Sequence, residues 1–383
     1  MIDDHAFYTL SISTAAALLA YIVLWSGLQT FNANPTKRFM RIWFKLALYY
    51  AAYTMPVWVV LLIIGWLQAV SPMLAQLSLL SVLMISLVMG LYFYTVVVQP
   101  NRLRLAHQAI DLDLSTPLTV AVLADLRIGI YSGKPRHIRK LVATINALQA
   151  DAVLITGDWL YYPSADLVGQ LMLFKGVNKP VYTVMSTSDL RYQSINTTKQ
   201  GQPLLEDTLA STFDVLDISY IGQQCTSLPL KCAGSANKSL QDNSIVAALC
   251  GWQDVPKQFT DIKDANATGK AALGAEIATA TKPVIILASR FDSIRDLPKA
   301  LQPRPLLITG AAKTTQKNIW LAQKQKDIER SREQSTLLNS SRMGQQRGLY
   351  QHGSAQIFVS SGIGTRGLPF RLYRPTIDVL TIR

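Results

Sequence analysis

Apolar and polar positions fall into two regimes along this chain. In the first hundred residues the apolar runs are long and unbroken: residues 7–28, 46–67 and 74–98 contain no charged side chain. Each exceeds the roughly 20 residues that a helix needs to cross a hydrocarbon core. The pattern predicts three transmembrane helices, the second kinked at Pro56. Tyr8, Trp25, Trp43, Trp66, Tyr92 and Tyr94 lie near the ends of these runs, as interfacial anchors do.

From residue 117 onward the pattern changes. Short apolar runs at 118–124, 152–156, 181–185, 245–249, 284–288, 306–309 and 357–360 have the length of buried strands. Between the first two, Ile138, Leu141, Val142, Ile145 and Leu148 recur at helical spacing over residues 136–148, and residues 166–174 read as a further helix. Strand-length runs alternating with helices predict a layered α/β (α+β) domain. The organisation expected is a transmembrane region at 1–100, a polar connector at 101–116 and a layered domain at 117–383.

Polar residues gather where the strand-length runs end. Asp125 closes one run, Asp158 the next and Ser188-Asp189 a third, while Ser289 and Gly310 close two more. A single strand-end aspartate is a turn or cap residue. Five such ends in succession point to a shared crevice, because ligands of layered α/β folds bind outside the carboxyl ends of strands.

Charge refines this picture. Charged residues make up 16% of the 383-residue chain, below the usual share of about 25%. Together with the apolar runs this excludes a disordered chain. The net charge is +13, and residues 117–383 carry +11 of it. A basic body implies an anionic neighbour. Lys37, Arg38, Arg41 and Lys45 follow the first run, residues 68–73 carry no charge, and Arg102 and Arg104 follow the third. The positive-inside rule then puts the N-terminus outside and the C-terminal domain in the cytoplasm of an inner-membrane protein. Asp3 and Asp4 lead the first run where a cleaved signal would be basic, so that run is read as a retained span. Cys225, Cys232 and Cys250 form no CxxC pair. No disulfide framework is expected, a reducing compartment fits, and a short Cys225–Cys232 bridge is the alternative.

The polar blocks carry a resemblance. Asp125-Leu126-Arg127, Gly157-Asp158, Ser186-Thr187-Ser188-Asp189, Ser289 and Gly310-Ala311-Ala312-Lys313 resemble, in order, the D-x-H, G-D, G-N-H-D/E, H and G-H-x-H blocks of the calcineurin-like metallophosphoesterases. The likeness is greatest to the membrane-anchored bacterial branch. "LTVAVLADLRIG", "LQADAVLITGDW", "KPVIILASRFD" and the tail "RGLYQHGSAQIFVSSGIGTRGLPFRLYRPTIDVLTI" are similar to strands of that family. The likeness covers residues 117–383 and is poor over 191–243 and 317–342. It implies a β-sandwich flanked by helices and a site for two metals that activate water against a phosphoryl group.

Position by position, the ligands implied by the resemblance have mostly gone. Asp125 and Asp158 stand where family ligands stand. Arg127, Thr187, Ser188, Ser289, Ala311 and Lys313 replace an asparagine and five histidines, and Asp189 closes its block. The chain has only His5, His107, His137 and His352, and none is expected at a strand end. A transition-metal pair has little to hold it without imidazoles. No cofactor is expected, with a single Mg²⁺ or other weakly held metal on Asp125 and Asp158 as the alternative. Two facing carboxylates repel unless a cation intervenes. Arg127 and Lys313 supply cations, either as a salt-bridged plug or, with Arg290, as a pocket that holds phosphate without cleaving it.

The segment 317–347 reads as a basic insertion with seven basic and three acidic residues. It is either a solvated surface helix or an arm on the anionic inner leaflet. With Trp320 its one aromatic, nucleic acid is not an expected partner. Membrane lipids are expected, together with protein partners through the body or the spans. No G-x-S-x-G, Walker A or HExxH motif occurs, and residues 362–367 (GIGTRG) read as a turn. The function expected is a non-catalytic binding or scaffold protein. A residual hydrolase of lipid-linked phosphodiester or pyrophosphate bonds is the alternative that the resemblance implies.

Overall fold

The computed structural model describes residues 4–32, 39–69, 75–129, 134–162, 167–189, 205–229, 245–252, 282–290, 304–310, 347–352, 354–364 and 374–383, with a few positions between 273 and 280. The chain divides into two compact units, one built chiefly on residues up to Arg102 and the other from Leu103 onward.

The first unit is helical: α1 (Asp4–Asn32), α2 (Phe39–Ala69) and α3 (Ala75–Phe93), the last continuing through a π-helical turn, Tyr94–Val98, to Gln99–Asn101. Helix α2 runs through Pro56. The helices are tied by donors reaching backbone carbonyls. Trp43 Nε1 donates to Val23 O at 3.0 Å, and Tyr92 OH donates to Ala52 O at 2.8 Å. Their outward side chains are apolar, Leu24, Leu87, Leu91 and Phe44 among the most exposed. Among the described residues two stretches, Ser13–Phe31 and Leu83–Asn101, are long and apolar enough to cross a membrane.

The second unit is a mixed α/β domain with two six-stranded sheets. Its strands are β1 (Arg104–Ile110), β2 (Leu118–Leu123), β3 (Ala152–Ile155), β4 (Val181–Thr183), β5 (Ile218–Tyr220), β6 (Cys225–Pro229), β7 (Ile245–Trp252), β8 (Val284–Ala288), β9 (Leu306–Gly310), β10 (Gly348–His352), β11 (Ala355–Ser360) and β12 (Thr376–Ile382). One sheet has the order β1-β12-β2-β3-β4-β5, the other β10-β11-β9-β8-β7-β6. The central strands β2-β3-β4 and β7-β8-β9 are parallel neighbours. Successive side chains of a strand point to opposite faces. In β2, Val120 and Val122 enter a core shared with Leu249, Ile285, Leu287, Ile308 and Phe358 of the other sheet. Ala121 and Leu123 point the other way, onto α4 (Pro135–Ala147) through Ile138, Leu141, Val142 and Ile145. The other sheet covers its outer face with Leu273 and Ile277. Burial on both faces makes these strands read as continuous apolar runs. Two further helices, α5 (Leu167–Met172) and α6 (Leu205–Val215), lie in the same unit.

Three expectations change. The connector contains a strand, β1, which pairs parallel to β12 at the edge of the first sheet. His107 therefore lies within β1, and His352, which is not expected at a strand end, ends β10. Cysteine pairing also differs. Cys225 bonds Cys250 rather than Cys232, because the antiparallel register of β6 and β7 sets those two residues opposite each other. That register is a tertiary fact which spacing does not encode. A bridge persists in oxidising surroundings, so the cysteines no longer argue for a reducing compartment.

Candidate functional site

Strand ends of both sheets converge beside Gly157. The loops after β2 and β3 are zipped together beyond the last strand residues. Arg127 N donates to Asp158 O at 2.9 Å, Ile128 N to Trp159 O at 2.6 Å, and Tyr161 N to Ile128 O at 3.0 Å. Trp159 anchors the second loop. It is fully buried, its ring lies 4.8 Å from Phe213, and its Nε1 donates to Thr183 Oγ1 at 2.8 Å. The tail loop closes over the first. Ile363 N donates to Ala124 O at 2.9 Å and Gly364 N to Asp125 O at 2.6 Å. A Cβ at Gly362 would stand 2.7 Å from the Asp125 Cβ, so only glycine fits there.

This zipping has a conformational cost. Asp125, Arg127 and Asp158 adopt left-handed backbone at φ 54°, 51° and 51°, next to Gly157 at 89°. Each such non-glycine residue costs roughly 1–2 kcal/mol, somewhat less for aspartate. Arg127 has no short side chain to ease it. With Tyr162 at φ 52° farther along the second loop, four strained residues within two loops are held by the surrounding bonds, a pattern that clusters at functional sites.

The side chains those residues aim are charged and buried. Asp125 and Asp158 are 4% exposed and Arg127 8%. The Arg127 guanidinium lies between the carboxylates, with Nη2 2.8 Å from Asp125 Oδ2 and 3.9 Å from Asp158 Oδ2. Each carboxylate is thereby given a positive neighbour from within the chain.

Asp189 acts as a buried acceptor. Its Oδ1 accepts from Leu160 N at 2.9 Å, and its Oδ2 from Ser186 N and Ser186 Oγ, both at 2.9 Å. Ser186 Oγ in turn accepts from the Ser188 and Asp189 amides at 3.1 and 3.2 Å. Asp189 is therefore a clasp joining the loop after β3 to the turn after β4. Burial first, and then the Asp158 carboxylate, push its carboxyl from the ordinary 3.8 up to about 7.

The second sheet brings Ser289 to the same place. A Cβ on Gly157 would meet Ser186 N and Ser289 Cβ at 3.2 Å each, and one on Gly310 would meet Thr156 Oγ1 at 3.3 Å. The Thr156, Thr187 and Ser289 hydroxyls are buried there without a hydrogen-bond partner among the described residues. Arg290 follows Ser289 and is half-buried. Asp125, Arg127, Asp158, Thr187, Ser188, Asp189 and Ser289 are thus brought to one set of strand ends. Ala311 and Lys313 lie outside the described residues, as does the insertion up to residue 346. Its last residue, Arg347, is described, and it is no free arm charge: Nε is 2.6 Å from Asp378 Oδ1.

Sequence reasoning missed Thr156, Gly362 and Gly364, and it placed Ser186 within its block without a role. Glycines two apart beside a strand end were the available signal for the close approach. Nothing in the spacing marked Thr156 or the clasp.

Among the described residues no three His, Cys, Asp or Glu side chains form a group able to hold a metal ion. The donor set explains why a two-metal centre does not fit. Two carboxylates remain, and a guanidinium already stands at contact distance from one of them. The other polar side chains gathered there among the described residues are hydroxyls, which bind a borderline transition metal poorly, and none is an imidazole. What the arrangement does well is neutralise buried carboxylates and present hydroxyls at converging strand ends. No family model matches the sequence, and no curated protein matches it.

Proposed function

We propose that this is a membrane-anchored protein of calcineurin-like metallophosphoesterase ancestry in which an internal cation stands in the metals' place, so that it binds or scaffolds rather than hydrolyses. One observation carries the reading: the Arg127 guanidinium sits between Asp125 and Asp158, 2.8 and 3.9 Å from their oxygens. The ordered blocks, the layered pair of sheets and the strained backbone at Asp125, Arg127 and Asp158 support the ancestry. A site built for metals would need an anionic, imidazole-rich lining. Here a fixed charge answers the carboxylates without any ion from solution. The plug is favoured over a phosphate pocket because Arg127 is directed at carboxylates within the chain.

The anchor is proposed as three spans, with the N-terminus outside and the body at the cytoplasmic face of an inner membrane. The chain's uncharged runs and its loop charges support this. Anionic lipids and protein partners are the proposed neighbours.

Metal content and phosphodiesterase turnover, measured on one detergent-purified sample incubated with Mn²⁺, test the reading. Neither retained metal nor turnover is expected. About two metals per chain with turnover would establish a hydrolase instead. Tight metal binding after Arg127→His alone would also overturn the plug, since one imidazole should not rebuild the centre.

A further inference from the structure

Helix α4 carries an unusual surface. Its buried stripe, Ile138, Leu141, Val142 and Ile145, locks it onto the first sheet. Its opposite face opens with Lys134, Arg136, His137, Arg139 and Lys140, all exposed, and no acidic residue occurs from Lys134 to Ala147. Lys134 is the N-cap and makes no side-chain cap, and Pro135 follows it. The first-turn amides therefore add the positive end of the helix dipole to four formal charges. Partial burial first, and then Lys134, Lys140 and Arg136, hold the His137 imidazole below its ordinary range. Of the acids that flank the cluster in sequence, Asp125 is buried against Arg127, and Asp151 lies beyond the other end of the helix, where its carboxylate accepts from Thr119 N at 2.8 Å.

We infer that the N-terminal half of α4 is a docking surface for anionic phospholipid headgroups. The occupant follows from charge and tethering. Basic side chains near a membrane are drawn to anionic lipid by charge alone, and the effect is local to within a screening length. A chain held in a bilayer meets those headgroups at high effective concentration, so a few exposed charges suffice. The helix carries no Phe, Tyr or Trp on which a nucleobase could stack, which disfavours nucleic acid. The inference rests on the membrane anchor proposed above, and on none of the residues around Asp125.

The test uses the full chain reconstituted in nanodiscs of phosphatidylcholine alone or with about one-third phosphatidylglycerol. Acetylation of Lys134 and Lys140 is followed by mass spectrometry, with Lys282, exposed on the other sheet's side of the domain, as internal reference. In anionic discs both lysines should be protected about fivefold relative to phosphatidylcholine discs, as expected for surface charges near anionic lipid. The protection should vanish at about 0.5 M NaCl, where the screening length is below about 5 Å. The variant R136E/R139E, which alters exposed side chains only, should abolish it while the chain elutes as the wild type. Equal reactivity in both discs would overturn the inference. So would protection by mixed-sequence RNA in phosphatidylcholine discs without any effect of phosphatidylglycerol. A chain that does not enter discs at all would instead defeat the anchor, an outcome separate from loss of lipid-charge dependence.

Discussion

Arg127 is the residue on which the site's electrostatics turn. It is buried with two carboxylates, so removing it leaves charges that water cannot reach. Arg127→Met should lower stability by about 3–5 kcal/mol, the usual cost of breaking a buried ion pair from one side. Adding Asp125→Asn to that variant should recover part of the loss, since one uncompensated charge goes with it. Thermal unfolding of the detergent-solubilised chain reads both, and equal stability of wild type and Arg127→Met would show that the guanidinium is incidental. Asp189 gives a pH signature. Its carboxyl is raised from 3.8 to about 7 by burial and by Asp158. Between those values the folded chain holds a proton that the unfolded chain has released. Stability from this group is therefore full below about pH 4, declines as pH rises toward 7 and is flat above. Asp189→Asn should flatten that slope, and should also cost about 1–3 kcal/mol because an amide cannot accept from all of Leu160 N, Ser186 N and Ser186 Oγ. Slopes of unfolding temperature against pH for the two chains check this, and parallel slopes would assign the proton elsewhere. The charged members of the site were legible because they end apolar runs. The direction in which Arg127 points was not, since a side-chain vector depends on the left-handed backbone of its loop.

Strands buried on both faces are legible in the sequence as apolar runs, and a strand buried on one side is not, whereas helix α4, buried along one stripe, is legible from its helical spacing. Strand β8 coincides with its predicted run, 284–288, because every residue in it is buried. Strand β1 is not legible in the sequence because only Ala106 and Ile110 of its seven residues are buried. An edge strand with two inward side chains four residues apart shows neither a continuous run nor strict alternation. The loop between β11 and β12 was legible as a turn but not as a wall of the site. Gly362 makes that role testable. Its φ is 79°, and a Cβ would meet Asp125 Cβ at 2.7 Å, while two backbone bonds from Ile363 and Gly364 prevent retreat. Gly362→Ala should cost about 1–3 kcal/mol through backbone strain and overlap. Gly90→Ala in α3, where nothing lies within 4 Å of the added methyl, is the control and should be neutral or stabilising by about 0.5–1 kcal/mol. Matching effects of the two substitutions would mean that the tail loop yields and does not fix Asp125.

At the scale of the whole molecule, loop charge and the cysteine pair make opposite demands. Four basic residues between the first two runs, none between the second and third, and Arg102 and Arg104 just after the third favour a cytoplasmic body. The Cys225–Cys250 bridge favours an oxidising side. Loop charge acts during insertion, before any register between β6 and β7 exists, so under the proposed orientation the cysteines follow the compartment that loop charge selects. In acid-quenched intact cells Cys225 and Cys250 should therefore be reduced and inaccessible to a membrane-impermeant maleimide, and should bridge when the lysate is oxidised. The bridge closes a loop of about 25 residues, which the chain-entropy model values at about 3–4 kcal/mol. The oxidised chain should accordingly unfold at a higher temperature than the reduced one, and a Cys250→Ser variant should lose that difference. Finding the two cysteines already bridged in quenched cells would place the body on the far side of the membrane. The three spans would then run with the N-terminus inside, and the search for a partner would move to that compartment, with the Arg127 cluster and the basic face of α4 unchanged.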